Sequence, residues 1–226
     1  MTRSIKTLCL PLLALACLAG ACERDDAAPG SKSTDKSAPS SSARNADDAQ
    51  PAEHKDFVTG KDGKALTILG DQPAVGDTAP AFTAVANDMS TYTFEPGGDK
   101  VYVLSSVPSL DTPTCSVETK RFNDEAAALG EDVSILTVSM DLPFAQKRWC
   151  GAEGVEAVKT LSDSRDRAFG RAYGVQIKEN GLLARAVFVV GKDGKITYRQ
   201  IVSDVTREPD YAPILAAAKK AAAGKE

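Results

Sequence analysis

Histidine is almost missing: the 226-residue chain has one, His54. A metal centre or a nucleophile–histidine pair therefore lacks its usual ligand or base. Basic charge is not in excess either, with 27 Lys and Arg against 31 Asp and Glu and a net charge of −4. Aromatic residues make up 6% of the chain. With neither a cationic stripe nor a stacking platform, nucleic acid is not the expected partner. The apolar run near the N-terminus, Leu8 to Ala21, is shorter than the roughly 20 residues that cross a bilayer. The five cysteines form no C-x-x-C pair. Cysteine is what remains to carry chemistry, and position divides the five into two kinds.

Cys9, Cys17 and Cys22 belong to the N-terminal segment, where Arg3 and Lys6 precede the apolar run as in a secretory signal peptide over residues 1–21. Leu18-Ala19-Gly20-Ala21-Cys22 is similar to the lipobox of bacterial lipoproteins, in which cleavage leaves an acylated cysteine at the new N-terminus. Cys22 is the expected lipid anchor because it is the last cysteine before charge begins at Glu23. Cys17 fits the same loose pattern one step earlier. From residue 22 to 56 the chain is rich in Ala, Ser, Pro, Asp and Lys and poor in branched apolar residues, so it reads as a disordered tether containing His54. A flexible coil of that length spans roughly 30 Å. The expected location is the bacterial cell envelope, with the domain held off a membrane and facing the periplasm. Such a compartment permits disulfides, and Cys115 with Cys150 leaves an even pair.

The folded domain is expected over residues 57–226. FVTGKDGKALTILG, from Phe57, reads as a hairpin around a glycine-containing turn. Val101–Val107 and Val133–Ser139 read as buried strands, with helical periodicity between them over 113–129 ending at Gly130. Residues 143–150 and 165–173 read as helical pieces, 186–190 and 195–202 as strands joined by Gly191-Lys192-Asp193-Gly194, and 209–223 as a closing helix. Strand, helix, strand, then a hairpin and a terminal helix is the order of an α/β, thioredoxin-like fold with an N-terminal β-hairpin.

Cys115 falls at a strand-to-helix junction, VPSLDTPTCSVETKRF. Thr112 is a good N-cap and Pro113 suits the first helical position, which puts Cys115 third. There the free N–H groups of the first turn and the helix dipole favour thiolate over thiol. With no histidine to help, a cation must, and Arg185 stands out because it opens the apolar strand AVFVV, where an unpaired arginine is costly to bury. Spacing alone leaves Cys115 and Cys150 open between a structural disulfide and a catalytic pair.

Pro108-Ser109-Leu110-Asp111-Thr112-Pro113-Thr114-Cys115 resembles the peroxiredoxin motif of Pro, three residues, Thr, two residues, Cys. The surroundings of Cys150 (MDLPFAQKRWCGAEG), LSDSRDRAFGRAYGV, LARAVFVV and TREPDYAPIL are similar to the thiol peroxidase branch of that family, atypical in keeping both cysteines in one chain. The resemblance covers residues 57 to about 220. It implies a thiol-dependent peroxidase reducing hydrogen peroxide and organic or lipid hydroperoxides, with Cys115 as the peroxidatic cysteine and Cys150 as the resolving one, joined as an intrachain disulfide. It also implies that Thr112 binds peroxide, Pro108 shelters the sulfur and Arg185 holds the developing charge. No metal or prosthetic group is called for, the electrons come from a thioredoxin-like thiol reductant, and the chain pairs as a homodimer. Two departures stand beside it: the lipid anchor, and a connection before Arg185, VQIKENGLLA, shorter than is usual in the branch. A tethered thiol–disulfide oxidoreductase is disfavoured by the missing C-x-x-C and by the lack of any proline between Pro143 and Pro209. A copper carrier would need two close cysteines and a histidine in the folded part. A non-catalytic domain using the disulfide as a redox switch stays open on residues alone.

Overall fold

A computed structural model describes residues 53–224. The signal segment, Cys22 and residues 23–52 of the tether lie outside the described residues. The first element, β1 (Glu53–Thr59), pairs antiparallel with β2 (Ala65–Leu69). The hairpin is the one read from the sequence, but it starts earlier. His54 pairs with Ile68, so the expected boundary at 56/57 moves back and His54 leaves the linker for a strand. Composition hid this because EHKD is polar, whereas an outer strand of a small sheet tolerates polar residues.

Seven strands form the main sheet in the order β10-β9-β5-β6-β7-β3-β4. At its centre β5 (Val101–Ser106), β6 (Val133–Ser139) and β7 (Val158–Ser162) run parallel. They are flanked by antiparallel β9 (Ala186–Val190) and β10 (Ile196–Ile201) on one side, and by β3 (Phe82–Ala86) and β4 (Thr91–Phe94) on the other. The central strands are apolar on both faces because both are covered. Alternation along them separates two cores. Val103, Ile135, Val158, Val187 and Val189 face α1 (Pro113–Leu129), α2 (Pro143–Glu153) and α4 (Tyr211–Ala222), packing with Phe122, Trp149, Tyr211 and Ile214. Leu104, Leu136, Leu161 and Phe188 face the other way, onto Phe169 and Tyr173 around α3 (Ala168–Ala172), with Val58, Ile68 and Ile177 from a small sheet of β1, β2 and β8 (Gln176–Ile177). This is the expected thioredoxin-like α/β architecture.

α1 begins at Pro113 and stops before Gly130, as periodicity and the two breakers require. α2 runs one turn beyond Cys150 to a left-handed Gly154, whose N–H donates to the Cys150 carbonyl. α3 is shorter than the span read from 165 to 173, because Arg167 sits in the left-handed region at φ 54°. The connection before Arg185 closes tightly: Ile177 N–H donates to Leu182 O, and Lys178 N–H to Thr67 O in the small sheet. Among the described residues no helix is long and apolar enough to cross a membrane, and no cluster of His, Cys, Asp or Glu could hold a metal ion.

Candidate functional site

The carboxyl ends of β5, β6 and β7 and the start of β9 converge where α1 begins, the usual crevice of a partly parallel sheet. Cys115, third residue of α1, is fully buried there. Arg185, immediately before β9, is 1% exposed and is the largest wholly buried side chain among the described residues. Its Nη2 donates to Cys115 Sγ at 3.2 Å and to the Val205 carbonyl at 3.1 Å. Its Nη1 donates to Glu118 Oε2 in a close ion pair. Glu118 lies three residues after Cys115, on the same side of α1, and its Oε1 accepts from Ser105 Oγ at 2.7 Å.

The sequence placed Cys115 and Arg185 at one site, and the structure brings them into contact. Burial pushes the Glu118 carboxyl above its ordinary range, against the pull of Arg185 and the Ser105 hydroxyl. Burial pulls the other way on Arg185, but Glu118 and Cys115 outweigh it and hold the guanidinium charged. A buried cation is thus fixed against sulfur, with a carboxylate behind it to offset the charge. Arg185 Nε is buried without a protein acceptor.

Thr112 is the N-cap of α1 by position but not by hydrogen bond. Its hydroxyl donates to the Ser109 carbonyl at 2.9 Å, and no first-turn N–H is capped by it. The first turn therefore keeps free donors near the sulfur. Thr112 is exposed and Pro108 half-buried in the loop between β5 and α1. That loop is pinned by Asp141, whose carboxylate accepts from Ser109 Oγ, Leu110 N–H and Ser139 Oγ, each at 2.7 Å. Asp141 was not anticipated, nor was Glu118. The first looks like any acid before a helix. The second had a signal, since an acid three residues after Cys115 faces it on a helix.

Cys150 is elsewhere. It sits half-buried on α2 over β7, 3.3 Å from Thr160 Oγ1 and 3.8 Å from Asn87 Nδ2. It opens on a cavity of about 510 Å³ lined among others by Asn87, Tyr92, Ile135, Val158 and Lys159. Both cysteines are free thiols in this structure. Trp149, beside Cys150, is buried among the core residues under the helices, and is a reporter for this region.

A protein-family model described as Redoxin matches residues 74–215. The chain is 53% identical to a thiol peroxidase from Halalkalibacterium halodurans, over 70% of this chain and 95% of that protein. It is 49% identical to one from Bacillus subtilis, over 70% of this chain and 93% of that protein. Among solved structures, a peroxiredoxin-like protein from Aquifex aeolicus superposes with a TM-score of 0.69 at 42% identity, covering 74% of this chain and 98% of that one.

Proposed function

Since the chain belongs to the Redoxin family and is a thiol-dependent peroxidase of the peroxiredoxin kind, we propose that Cys115 is its peroxidatic cysteine and Cys150 its resolving cysteine. The observation that carries this reading is the contact of Arg185 Nη2 with Cys115 Sγ, with Glu118 bracing the guanidinium from behind.

The thiolate attacks one oxygen of a hydroperoxide. An S–O bond forms, the O–O bond breaks, and the departing oxygen leaves as water or an alcohol after taking up a proton, while the sulfur becomes a sulfenic acid. Negative charge moves from sulfur to the leaving oxygen. A fixed guanidinium and the uncapped N–H groups of α1 serve that charge without reorganising, which favours the transition state over the ground state. Arg185 Nε–H, which has no protein acceptor, is a further donor for the oxygens. Thr112, at the mouth of the same turn, orients the peroxide, and Pro108 limits water at the sulfur. Cys150 then condenses with the sulfenic acid, releasing water and leaving an intrachain disulfide.

A thioredoxin-like thiol reductant restores the two thiols, and hydrogen peroxide and organic or lipid hydroperoxides are the substrates. The working unit is a homodimer, which accords with large apolar side chains left exposed at Val117, Leu142 and Phe144. Cys22 anchors the chain to a membrane of the bacterial envelope, with the domain facing the periplasm. Fractionation checks the anchor: Cys22→Ala is expected in the soluble fraction, and its persistence with membranes would remove that assignment.

Rapid mixing of reduced protein with hydrogen peroxide, followed by Trp149 fluorescence and thiol counting, tests the cycle. One peroxide is expected to consume two thiols, at a rate orders of magnitude above that of free cysteine. Cys115→Ser is expected to abolish the reaction, and Cys150→Ser to leave a trapped sulfenic acid. A fast phase that survives Cys115→Ser would overturn the reading.

A further inference from the structure

We propose that Thr160, assisted by Asn87, is a positioning residue for the attacking sulfur of Cys150, acting on disulfide formation and not on peroxide cleavage. The proposal rests on the reading above that Cys150 resolves the sulfenic acid, and extends it to residues given no role by that reading.

Three polar groups meet at this point. Asn87 Nδ2 donates to Thr160 Oγ1 at 2.8 Å, so the threonine's own hydrogen is turned elsewhere. Cys150 Sγ lies in reach of that hydrogen at 3.3 Å, and the second Asn87 N–H approaches the same sulfur at 3.8 Å. The sulfur lies between two neutral hydrogen-bonding groups: in the thiol either Cys150 or Thr160 is able to donate across the 3.3 Å contact, and once Cys150 gives up its proton to attack, the hydroxyl and the carboxamide are both donors to it. Both come from rigid places. Thr160 is 2% exposed in β7, and Asn87 follows β3 at the tight turn where Met89 N–H donates to Ala86 O. Ala86 pairs with Leu161 in antiparallel register, which sets Asn87 opposite Thr160.

Cys150 is also held through its backbone. Its carbonyl accepts from Gly154 N–H and Val155 N–H, and the next two amides, Glu156 and Ala157, are clipped to Asn123 Oδ1 of α1 at 3.0 and 2.9 Å. Cys115, by contrast, lies in a first turn whose N-cap side chain makes no capping bond and whose first residue is a proline without an N–H. Cys115 bonds through Arg185 and Glu118 to Ser105 of β5, and Cys150 sits over Thr160 of β7. Two strand spacings of about 4.8 Å each lie between those strands, whereas a disulfide needs Cα atoms within about 7 Å. Cys115 is the partner built to move, and Cys150 the one built to wait.

The floor between them fits this assignment. Ser105 pairs with Thr137 and Thr137 with Thr160, so three hydroxyls stand in one row across β5, β6 and β7, on the sheet face that α1 and α2 cover. The outer two are bonded toward the two thiol sites, while Thr137 Oγ1, in the middle, is buried with no protein partner. Condensation on this floor balances without a co-reactant. The S–S bond forms, the S–O bond breaks, and the proton from Cys150 leaves with the hydroxyl oxygen as water.

The test separates the two chemical steps in the full-length protein. Rapid mixing with hydrogen peroxide gives the rate of the first step. Acid quench and peptide mapping then follow three products with time: Cys115 sulfenic acid, Cys115 sulfinic acid and the Cys115–Cys150 disulfide. Thr160→Val, close in shape but lacking the hydroxyl, is expected to leave the first step unchanged, to slow disulfide formation about tenfold, and to increase the sulfinic fraction at high peroxide by a similar factor. Thr160→Ser is expected to restore the rate, which a purely space-filling role does not require. Asn87→Ala, at the turn, is expected to slow the same step about threefold and serves if Thr160→Val fails to fold. Unchanged or faster disulfide formation in a folded Thr160→Val protein would overturn the proposal. Failure of the underlying reading looks different: Cys115 sulfenic acid would then reach the same level in the parent and in Cys150→Ser, with no Cys115–Cys150 disulfide in the parent.

Discussion

Two thiols in one small domain are held in opposite ways. Around Cys115 lies a charged, wholly buried pair, Arg185 and then Glu118, with the buried Ser105 hydroxyl behind them. Around Cys150 the partners are neutral, a hydroxyl and a carboxamide, and the sulfur opens on a cavity. The first arrangement suits a step in which charge moves across an O–O bond in a dry site, where fixed ions act most strongly. The second suits a sulfur that must be found by another sulfur, where orientation matters more than field. The difference also divides the risk. A buried ion pair that loses one member leaves an uncompensated charge, whereas a neutral pair loses one modest bond.

The comparison breaks most severely at Arg185. Arg185→Met removes the donor to Cys115 and strands Glu118, so peroxide cleavage is expected to fall about 10²- to 10³-fold. Stability is expected to fall by about 3–5 kcal/mol. Adding Glu118→Leu separates the two losses, since it removes the orphaned carboxylate and is expected to recover most of the melting temperature but none of the rate. If the double variant regains activity with stability, Arg185 is a structural residue only, and the contrast between the two thiols dissolves. Trp149 fluorescence after mixing, beside calorimetry, reads both quantities.

Buried acids sharpen the same contrast through pH. Glu118 has a cation against it, whereas Asp163, 1% exposed at the end of β7, has backbone N–H donors from Phe169 and Gly170 at 3.0 and 2.8 Å. Burial pushes the Asp163 carboxyl up to about 6 from an ordinary 3.8, the backbone bonds opposing it. The folded protein thus holds this proton more tightly than the unfolded chain. Its contribution is fully present below pH 3.8 and is lost as pH rises through about 6. The loss is on the order of 3 kcal/mol at most. Chemical denaturation from pH 4 to 7 is expected to show this falling component in the parent and not in Asp163→Asn. An equal slope in both proteins would mean that the backbone donors offset the burial.

Much of this organisation was legible in the sequence, for identifiable reasons. α1 was bracketed by Pro113 and Gly130, and β5, β6 and β9 by their apolar runs, because those signals are local. Cys115 was marked by its place on a helix, and Arg185 by the cost of a cation in an apolar strand. β3, β4 and β7 escaped notice because FTAVA, TYTF and VKTLS are short and mix polar with apolar residues, and pairing gives them their identity. Asn87 and Thr160 escaped for the same reason, being 73 residues apart and meeting only through the β3–β7 register. Thr112 was read correctly in place and incorrectly in bonding, since propensity predicts which residue caps a helix but not which way its hydroxyl turns.

Thr137 gives the smallest expected effect and the finest probe of the floor between the thiols. Its hydroxyl is buried without a protein partner, 1% exposed, so the fold carries a desolvation cost with no bond to offset it. Thr137→Val keeps the shape and removes that cost. Stability is expected to rise by about 1 kcal/mol, a few degrees in melting temperature for a domain of this size. Peroxide cleavage is expected to be unchanged, because the Arg185–Glu118–Ser105 chain does not include Thr137. A fall in stability would instead mean that the hydroxyl is satisfied in solution, and the row across β5, β6 and β7 would then be a continuous bonded line joining the two thiols rather than two separate settings.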